Sequence, residues 1–372
     1  MKIGIACYPT FGGSGVVATE LGHELARRGH FVHFITYAPP SRLNAFADRV
    51  AYHEVSVPSY PLFQYAPYDL ALATRIVDVA EHEGLDLLHA HYALPHAISA
   101  HLAREMLAPR RLAVVTTLHG TDITIVGQDR SYLPITRFGI DRSDAVTAVS
   151  EHLREVTIEA FHPNRDIDVI PNFIDPERWR PSPPGGVCRI VPEGRKVLLH
   201  VSNFRPVKRV LDVIEIFDRV QKRVPAWLLM VGDGPDRPAA QELCRTKGLA
   251  GCSTFLGNTP FLEAIIPTAD LYVLPSNSES FGLSALEAQA CGVPVLGYAA
   301  GGLPEVVESG VTGVLGDVGD VDGLSAAGAA LLEDAERYGA MSAAARARAV
   351  RLFDAETIVG RYLRVYERVL GA

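Results

Sequence analysis

Short apolar runs alternate with helical stretches along most of this chain, and the alternation occurs twice. The first series opens with "KIGIACY", followed by "VVATELGHELARRGH" with Val17, Leu21 and Leu25 at helical spacing and Gly29 as the stop. "FVHFITYA", "LDLLHAHY", "LAVVTTLHG", "DAVTAVS" and "IDVIPNF" continue it. Strands that alternate with helices predict a parallel sheet covered on both faces.

A segment dense in proline and glycine, "IDPERWRPSPPGGVCRIVPEGRK", interrupts the pattern and reads as a linker. The pattern then restarts with "VLLHVSNF", "VKRVLDVIEIFDRVQKRV", "AWLLMVGDG", "PAAQELCRTKG", "STFLGN" and "ADLYVLPS". The last third is rich in alanine and reads as helical. The chain is therefore α/β, with two Rossmann-like units joined near residue 180. At 372 residues it is long enough for two domains. The expected boundaries are 1–175, a linker over 176–195, 196–350, and a C-terminal helix over 351–372 that packs back on the first domain. Open sheets of this kind bind ligands beyond the C-terminal ends of their strands, which places the site in a cleft between the two units.

The net charge of −8 and the lack of a basic tail argue against a nucleic-acid partner. Five scattered cysteines without a CxxC pair suit reduced, packed residues, not a disulfide framework. No apolar run approaches the roughly 18 residues of a membrane span. The N-terminus turns to glycine too early for a signal-peptide core. The expectation is a cytoplasmic protein with no membrane partner.

Three motifs carry chemistry. Gly12-Gly13-Ser14-Gly15 lies between a strand and a helix, where free N–H groups hold anions; it also reads as a plain tight turn. Its spacing is not GxGxxG, and no acidic residue ends the second strand, which argues against a nicotinamide cofactor. "SNFRPVKR" puts Arg205, Lys208 and Arg209 at a strand end, facing a diphosphate or, equally well, forming a solvated basic turn. In "ESFGLSALEAQACGVP", Glu279 and Glu287 stand eight positions apart around a helix start. A carboxylate accepts two sugar hydroxyls at once. Taken alone, Glu279 is a helix cap and Glu287 a surface glutamate. With the other two motifs they suit a sugar nucleotide gripped on either side of its diphosphate.

These residues resemble the retaining glycosyltransferases of the GT-B fold, in the large family (glycosyltransferase family 4) whose signature is E-x7-E. The likeness covers nearly the whole chain and includes "YPTFGGSGVVATELGHELARRGH", "HAHYALPHA" and "TTLHGTDIT". It implies two Rossmann-like domains facing each other across a cleft. It also implies no cofactor and no protein-bound metal, and a homodimer. The N-terminal strings narrow it to transfer of N-acetylglucosamine from UDP-N-acetylglucosamine to the hydroxyl of L-malate, the first step of bacillithiol biosynthesis. Related acceptors (inositol phosphate, a lipid, a glycan) and a UDP-sugar epimerase are the alternatives.

The resemblance further implies roles for single residues. Gly13 and its neighbours, with Lys208, hold the diphosphate. The family's usual glycine-arginine is replaced by Ser202-Asn203, and Arg205 restores a positive charge. Glu279 meets the donor sugar and Glu287 the ribose. Backbone groups of Phe281, Gly282 and Leu283 meet the phosphates, and uracil lies against Gly257-Asn258-Thr259. His119 lines the reaction centre, so His119, Glu279 and Lys208 are the expected catalytic set. For the acceptor dicarboxylate the candidates are Ser14, Tyr92, Thr117, Thr121 and the cation Arg137, with Arg142 as its rival. His89, His91 and His96 lie close enough for a metal to be conceivable, but no carboxylate or cysteine completes a site locally.

Overall fold

The computed structural model describes residues 1–10, 12–44, 46–57, 60–182 and 191–371. Positions 183–190 of the expected linker, with Cys188 among them, lie outside the described residues, as do Phe11 and Ala372. The chain divides into two compact units, residues 1–172 with 356–372, and residues 173–355.

The first unit holds seven strands: β1 (Lys2–Ala6), β2 (Phe31–Thr36), β3 (Val50–Glu54), β4 (Leu87–His91), β5 (Ala113–Leu118), β6 (Ala145–Ala148) and β7 (Ile167–Val169). All pair in parallel, in the order β3-β2-β1-β4-β5-β6-β7. The central strands β4 and β5 are buried at every position because both faces are covered. On one side, Leu72, Ile76 and Val79 of the helix Tyr68–Val79 meet Leu88, Ala90 and Val114 of the sheet. The strand β3 escapes a reading from apolar runs because it is a half-exposed edge with polar residues.

The helix Ala355–Leu370 also belongs to this unit. Its Tyr366 hydroxyl lies 2.8 Å from His89 Nδ1 in the interior, while Arg368 pairs with Asp168 and Arg361 donates to the Val169 carbonyl. Residues 351–353 end the preceding helix, Ala335–Phe353, and Asp354 breaks the two apart.

The second unit holds β8 (Lys196–Val201), β9 (Ala226–Val231), β10 (Ser253–Gly257), β11 (Leu271–Leu274), β12 (Val295–Tyr298) and β13 (Gly313–Gly316), again all parallel, in the order β10-β9-β8-β11-β12-β13. The last two strands fall in the stretch read as helical. They are four residues each and glycine-containing, too short to show a strand period. The part of the expected linker that is described is not a loose spacer. The Arg346 guanidinium donates to the carbonyls of Pro176 (2.9 Å), Ala290 (2.6 Å) and Trp179, tying that segment to the second unit.

In both sheets the strand order reverses direction next to the first strand, between β1 and β4 and between β8 and β11. Ligands of open parallel sheets sit beyond the strand ends at this switch. The three motifs singled out above follow β1, β8 and β11, and the "HAHYALPHA" string ends β4.

Candidate active site

In the first unit, β1 leads through Tyr8 and Thr10 into the helix Gly13–Arg27. Gly13 is exposed, and a side chain added there would meet nothing within 4 Å among the described residues. Gly15 answers a different need: a Cβ there would lie 2.5 Å from the Thr10 carbonyl and 2.6 Å from that of Tyr8. Ser14, half-buried, lies between them in the first turn, whose N–H groups carry the positive end of the helix dipole.

The ends of β4 and β5 carry a histidine cluster. His91 and Thr117 are register partners, and side chains two apart share a face, so His89, His91, Thr117 and His119 all point to one side. His91 Nδ1 lies 2.9 Å from His119 Nε2, with the rings stacked at 5.1 Å. His96 Nδ1 donates to the His91 carbonyl at 2.5 Å, which leaves its buried Nε2 a bare acceptor without a partner. Burial pushes His119 and His89 down to about 3 and His96 to about 4. His119 is half-buried as a residue, and its neutral form dominates at pH 7. His119 can therefore present an uncharged ring to a ligand while His91 fixes its orientation.

Tyr92 packs its ring 5.4 Å from His119 and 5.3 Å from Tyr8. Its backbone is left-handed, φ 96°, a conformation costly for a bulky residue. Such strain collects at functional sites. One residue holds this corner together and sequence reasoning missed it: Asp122. Its carboxylate, 1% exposed, accepts from the N–H groups of Ala93 (2.9 Å), Gly120 (2.9 Å) and His119 (3.3 Å). Burial pushes its pKa up to about 6 against the pull of those N–H groups. The only hint in the sequence is an Asp three positions after His119.

Two acceptor candidates fare differently from the rest. Thr117 is fully buried, and its hydroxyl lies 2.7 Å from both His89 Nε2 and Thr147 Oγ1, so it braces the cluster from the interior. Arg137 stands outside the buried face (Thr136, Gly139, Ile140) of the helix Leu133–Arg142 and pairs with Asp141 at 3.7 Å. Its rival Arg142 lies over the Phe138 ring at 5.1 Å. Thr121, two residues after His119, is half-buried, and its hydroxyl has no hydrogen-bond partner among the described residues.

In the second unit, β8 ends at Val201 and the chain turns through Ser202, Asn203 and Arg205. His200 Nδ1 donates to the Val273 carbonyl at 2.7 Å, so its Nε2 accepts from the Ser202 hydroxyl, also at 2.7 Å. Burial pushes His200 down to about 4. Ser202 thus spends its hydroxyl on the turn, and a second glycine loop packs against that turn. A Cβ on Gly232 would lie 1.8 Å from the Ser202 carbonyl, and one on Gly234 would lie 2.0 Å from that of Asn203. Asn203 and Arg205 are left exposed.

The helix expected to start near Val207 begins only at Val210. Pro206–Lys208 form a 3-10 turn, and Arg209 is left-handed at φ 47°. This break separates the three cations. Arg209 is committed to Asp212 (2.7 Å) and Asn277 (3.3 Å), whereas Lys208 Nζ meets Glu279 Oε1 at 2.6 Å.

Glu279 and Glu287 are both buried, 9% and 3% exposed, so neither is a surface glutamate. Gly301 presses on Glu279: its N–H neighbour Gly302 donates to the Glu279 carbonyl at 2.7 Å, and a Cβ on Gly301 would lie 2.1 Å from that oxygen. Gly282, at φ 99°, caps the helix Leu283–Ala290, and Phe281 is anchored edge-on to Phe353 at 5.6 Å. Asn258 is exposed after Gly257, whose carbonyl accepts from Gly232. Of the donor residues named from sequence, those of the second unit lie on the loops after β8, β10 and β11 and on the helix Leu283–Ala290, whereas Gly13 lies after β1 in the first unit.

Residues 11–178 match the model of Glycosyltransferase Family 4, and residues 189–348 that of Glycosyl transferases group 1. The chain is 46% identical over its full length to N-acetyl-alpha-D-glucosaminyl L-malate synthase of Bacillus anthracis, covering 97% of that protein. It is 31% identical to D-inositol 3-phosphate glycosyltransferase of Mycolicibacterium paratuberculosis, covering 91% of this chain and 81% of that one. Among solved structures, Anabaena HepE in complex with UDP-glucose superposes with a TM-score of 0.84 at 22% identity, over 99% of this chain and 100% of that one. Its two parallel-sheet units are those of the GT-B fold, and the chain belongs to glycosyltransferase family 4.

Proposed function

We propose that this glycosyltransferase moves N-acetylglucosamine from UDP-N-acetylglucosamine to the hydroxyl of L-malate with retention of the α configuration, as the first step of bacillithiol biosynthesis. The observation that carries the acceptor is the 46% identity, end to end, to a protein named for that product. The donor reading rests on Lys208, Glu279 and Glu287, together with the UDP-glucose bound by a structural relative.

In this reading Lys208 is shared between Glu279 and the diphosphate when the donor binds. The cation offsets the charge that develops as the glycosidic C–O bond to phosphate breaks. Glu279 accepts hydrogen bonds from the sugar hydroxyls and Glu287 from those of the ribose. N–H groups of Gly282 and Leu283 complete the phosphate cradle of the second unit, with Phe281, Asn203 and Arg205 at its rim and Asn258 beside the base, and the Gly13 turn of the first unit offers N–H groups of its own. Both carboxylates are thereby occupied with binding, so neither attacks the sugar. The departing phosphate oxygen takes the malate hydroxyl proton as the new bond forms on the same face.

The acceptor side is Ser14 with the adjacent N–H groups, Tyr92, Thr121 and the neutral His119. Arg137 remains the proposed cation for a malate carboxylate and would exchange Asp141 for it. Catalysis is then mainly positioning, with water kept from the donor. We further infer a cytoplasmic homodimer; among the described residues no helix is long and apolar enough to cross a membrane.

The test is incubation of the enzyme with UDP-N-acetylglucosamine and single acceptors, followed by mass analysis. L-malate is expected to yield one new glycoside and stoichiometric UDP. The 31% relative makes inositol 3-phosphate the second reading. A glycoside formed from it and none from malate would overturn the acceptor assignment while leaving the family intact. UDP-N-acetylmannosamine formed without any acceptor would point to an epimerase.

A further inference from the structure

Away from the residues that serve glycosyl transfer, three ligand-type side chains converge at the edge of the first sheet. His33 lies on β2 and His53 on β3, where the register pairs Ile35 with His53 and His33 with Ala51. The two rings are therefore diagonal neighbours on one face. His33 Nδ1 and His53 Nε2 approach to 3.0 Å, and the rings lie 24° from parallel. Glu83, on the turn Ala80–Gly84 that precedes β4, brings a carboxylate oxygen to within 4.8 Å of one ring nitrogen of each histidine.

We propose that His33, His53 and Glu83 form a binding site for a divalent transition metal, with Zn2+ the best match. Two imidazoles and one carboxylate are a common three-ligand set for zinc, which leaves a fourth position for water. Zinc–nitrogen bonds of about 2.0–2.1 Å at a tetrahedral angle set the two nitrogens roughly 3.3 Å apart, a few tenths of an ångström from the separation seen. The carboxylate has to move inward by one to two ångströms, roughly the reach of a glutamate rotamer change.

Two further observations fit. Burial lowers the pKa of both histidines, so each keeps a lone pair at neutral pH, as a metal requires. The Glu83 carboxylate has no hydrogen-bond or ion-pair partner among the described residues; only its backbone carbonyl is used, accepting from Lys2 Nζ at 2.6 Å. Against the site stand the positive charges of Lys2 and Arg75, which act on these histidines, with Asp78 in partial compensation. They weaken the affinity without occupying a ligand atom, since Arg75 is paired to Asp78. A metal there would pin the edge strand β3 and the turn before β4 to β2, a structural role separate from glycosyl transfer.

The test uses the full-length enzyme stripped of metal with a chelator and titrated with Co2+, then with Zn2+ in competition. One equivalent of Co2+ should give the intense visible absorption of a four-coordinate site, and Zn2+ should abolish it. His53→Gln and Glu83→Gln should each weaken binding by roughly tenfold or more. His82→Gln, an exposed histidine on the same turn, should leave it unchanged, and glycosyl transfer should be unaltered in all three variants. Absence of the cobalt absorption, or binding equal to the parent in both His53→Gln and Glu83→Gln, would overturn the proposal.

Discussion

Lys208 Nζ and Glu279 Oε1 form a 2.6 Å ion pair at the switch point of the second sheet, with only 20% and 10% of the two side chains exposed. For a pair so nearly withdrawn from water, desolvation offsets most of the attraction, so the pair by itself adds little to stability. Lys208→Met should lower kcat/KM by about 10²-fold, in line with removal of one leaving-group stabiliser. It should also destabilise the protein, since it strands the Glu279 carboxylate. The double variant Lys208→Met/Glu279→Gln should regain part of that melting temperature while turning over no faster than the single variant. A double variant less stable than the single one would contradict this picture.

The buried histidines make stability depend on pH with a definite sign. His200 titrates near 6.5 when unfolded and at about 4 in the fold. Between those values the unfolded chain binds more protons, so stability is complete above pH 6.5 and drains away as the pH falls towards 4. His89, His96 and His119 act in the same direction. Urea midpoints measured from pH 7 to pH 4.5 should decline, and His200→Asn should flatten the slope by up to about 1.4 kcal/mol per pH unit. An unchanged slope would show that His200 is not held neutral.

Gly301 and Gly319 separate backbone strain from steric contact. Both have positive φ, 63° and 91°, but a Cβ at 301 would strike the Glu279 carbonyl whereas one at 319 would meet nothing within 4 Å. Gly319→Ala should cost about 1 kcal/mol and leave turnover intact. Gly301→Ala should cost about 2–4 kcal/mol and raise the KM for the sugar nucleotide, because it displaces Glu279. Equal effects on donor KM would dissociate Gly301 from the site.

Asp122 should behave as a positioning residue. Asp122→Ala leaves three N–H groups without their acceptor and is expected to cost about 2–4 kcal/mol. Asp122→Asn keeps one acceptor oxygen but turns an amide N–H2 towards a backbone donor. Its expected signature is a raised KM for the acceptor with the donor KM nearly unchanged, since Tyr92 and His119 move while Lys208 and Glu279 do not. Steady-state kinetics with each substrate varied in turn distinguishes the two.

Much of this was readable in one dimension. The buried parallel strands announce themselves as apolar runs, and the eight-residue spacing of Glu279 and Glu287 places both on the loop and helix after β11. The short strands β12 and β13 and the edge strand β3 were not readable, because four glycine-containing residues or a half-polar edge show no period. Thr117 looked like a ligand-facing hydroxyl because a strand-end threonine gives no sign of what lies across from it. Its partners, His89 and Thr147, come from neighbouring strands about 30 residues away.

Local order along the chain determined the class of this protein: two alternating α/β series, a glycine turn after the first strand, and a basic turn and a carboxylate pair in the second series. Those are contacts between near neighbours in sequence, and a periodic pattern records them. Tertiary structure decided the assignments within that class. It separated Lys208 from Arg209 by a left-handed residue, buried Glu287, satisfied Thr117 and turned Arg137 outward. It brought Asp122 under His119 and Tyr92, and set His33, His53 and Glu83 side by side. Each of these depends on which strand lies next to which, and burial and hydrogen-bond capacity are settled only once the sheets are assembled.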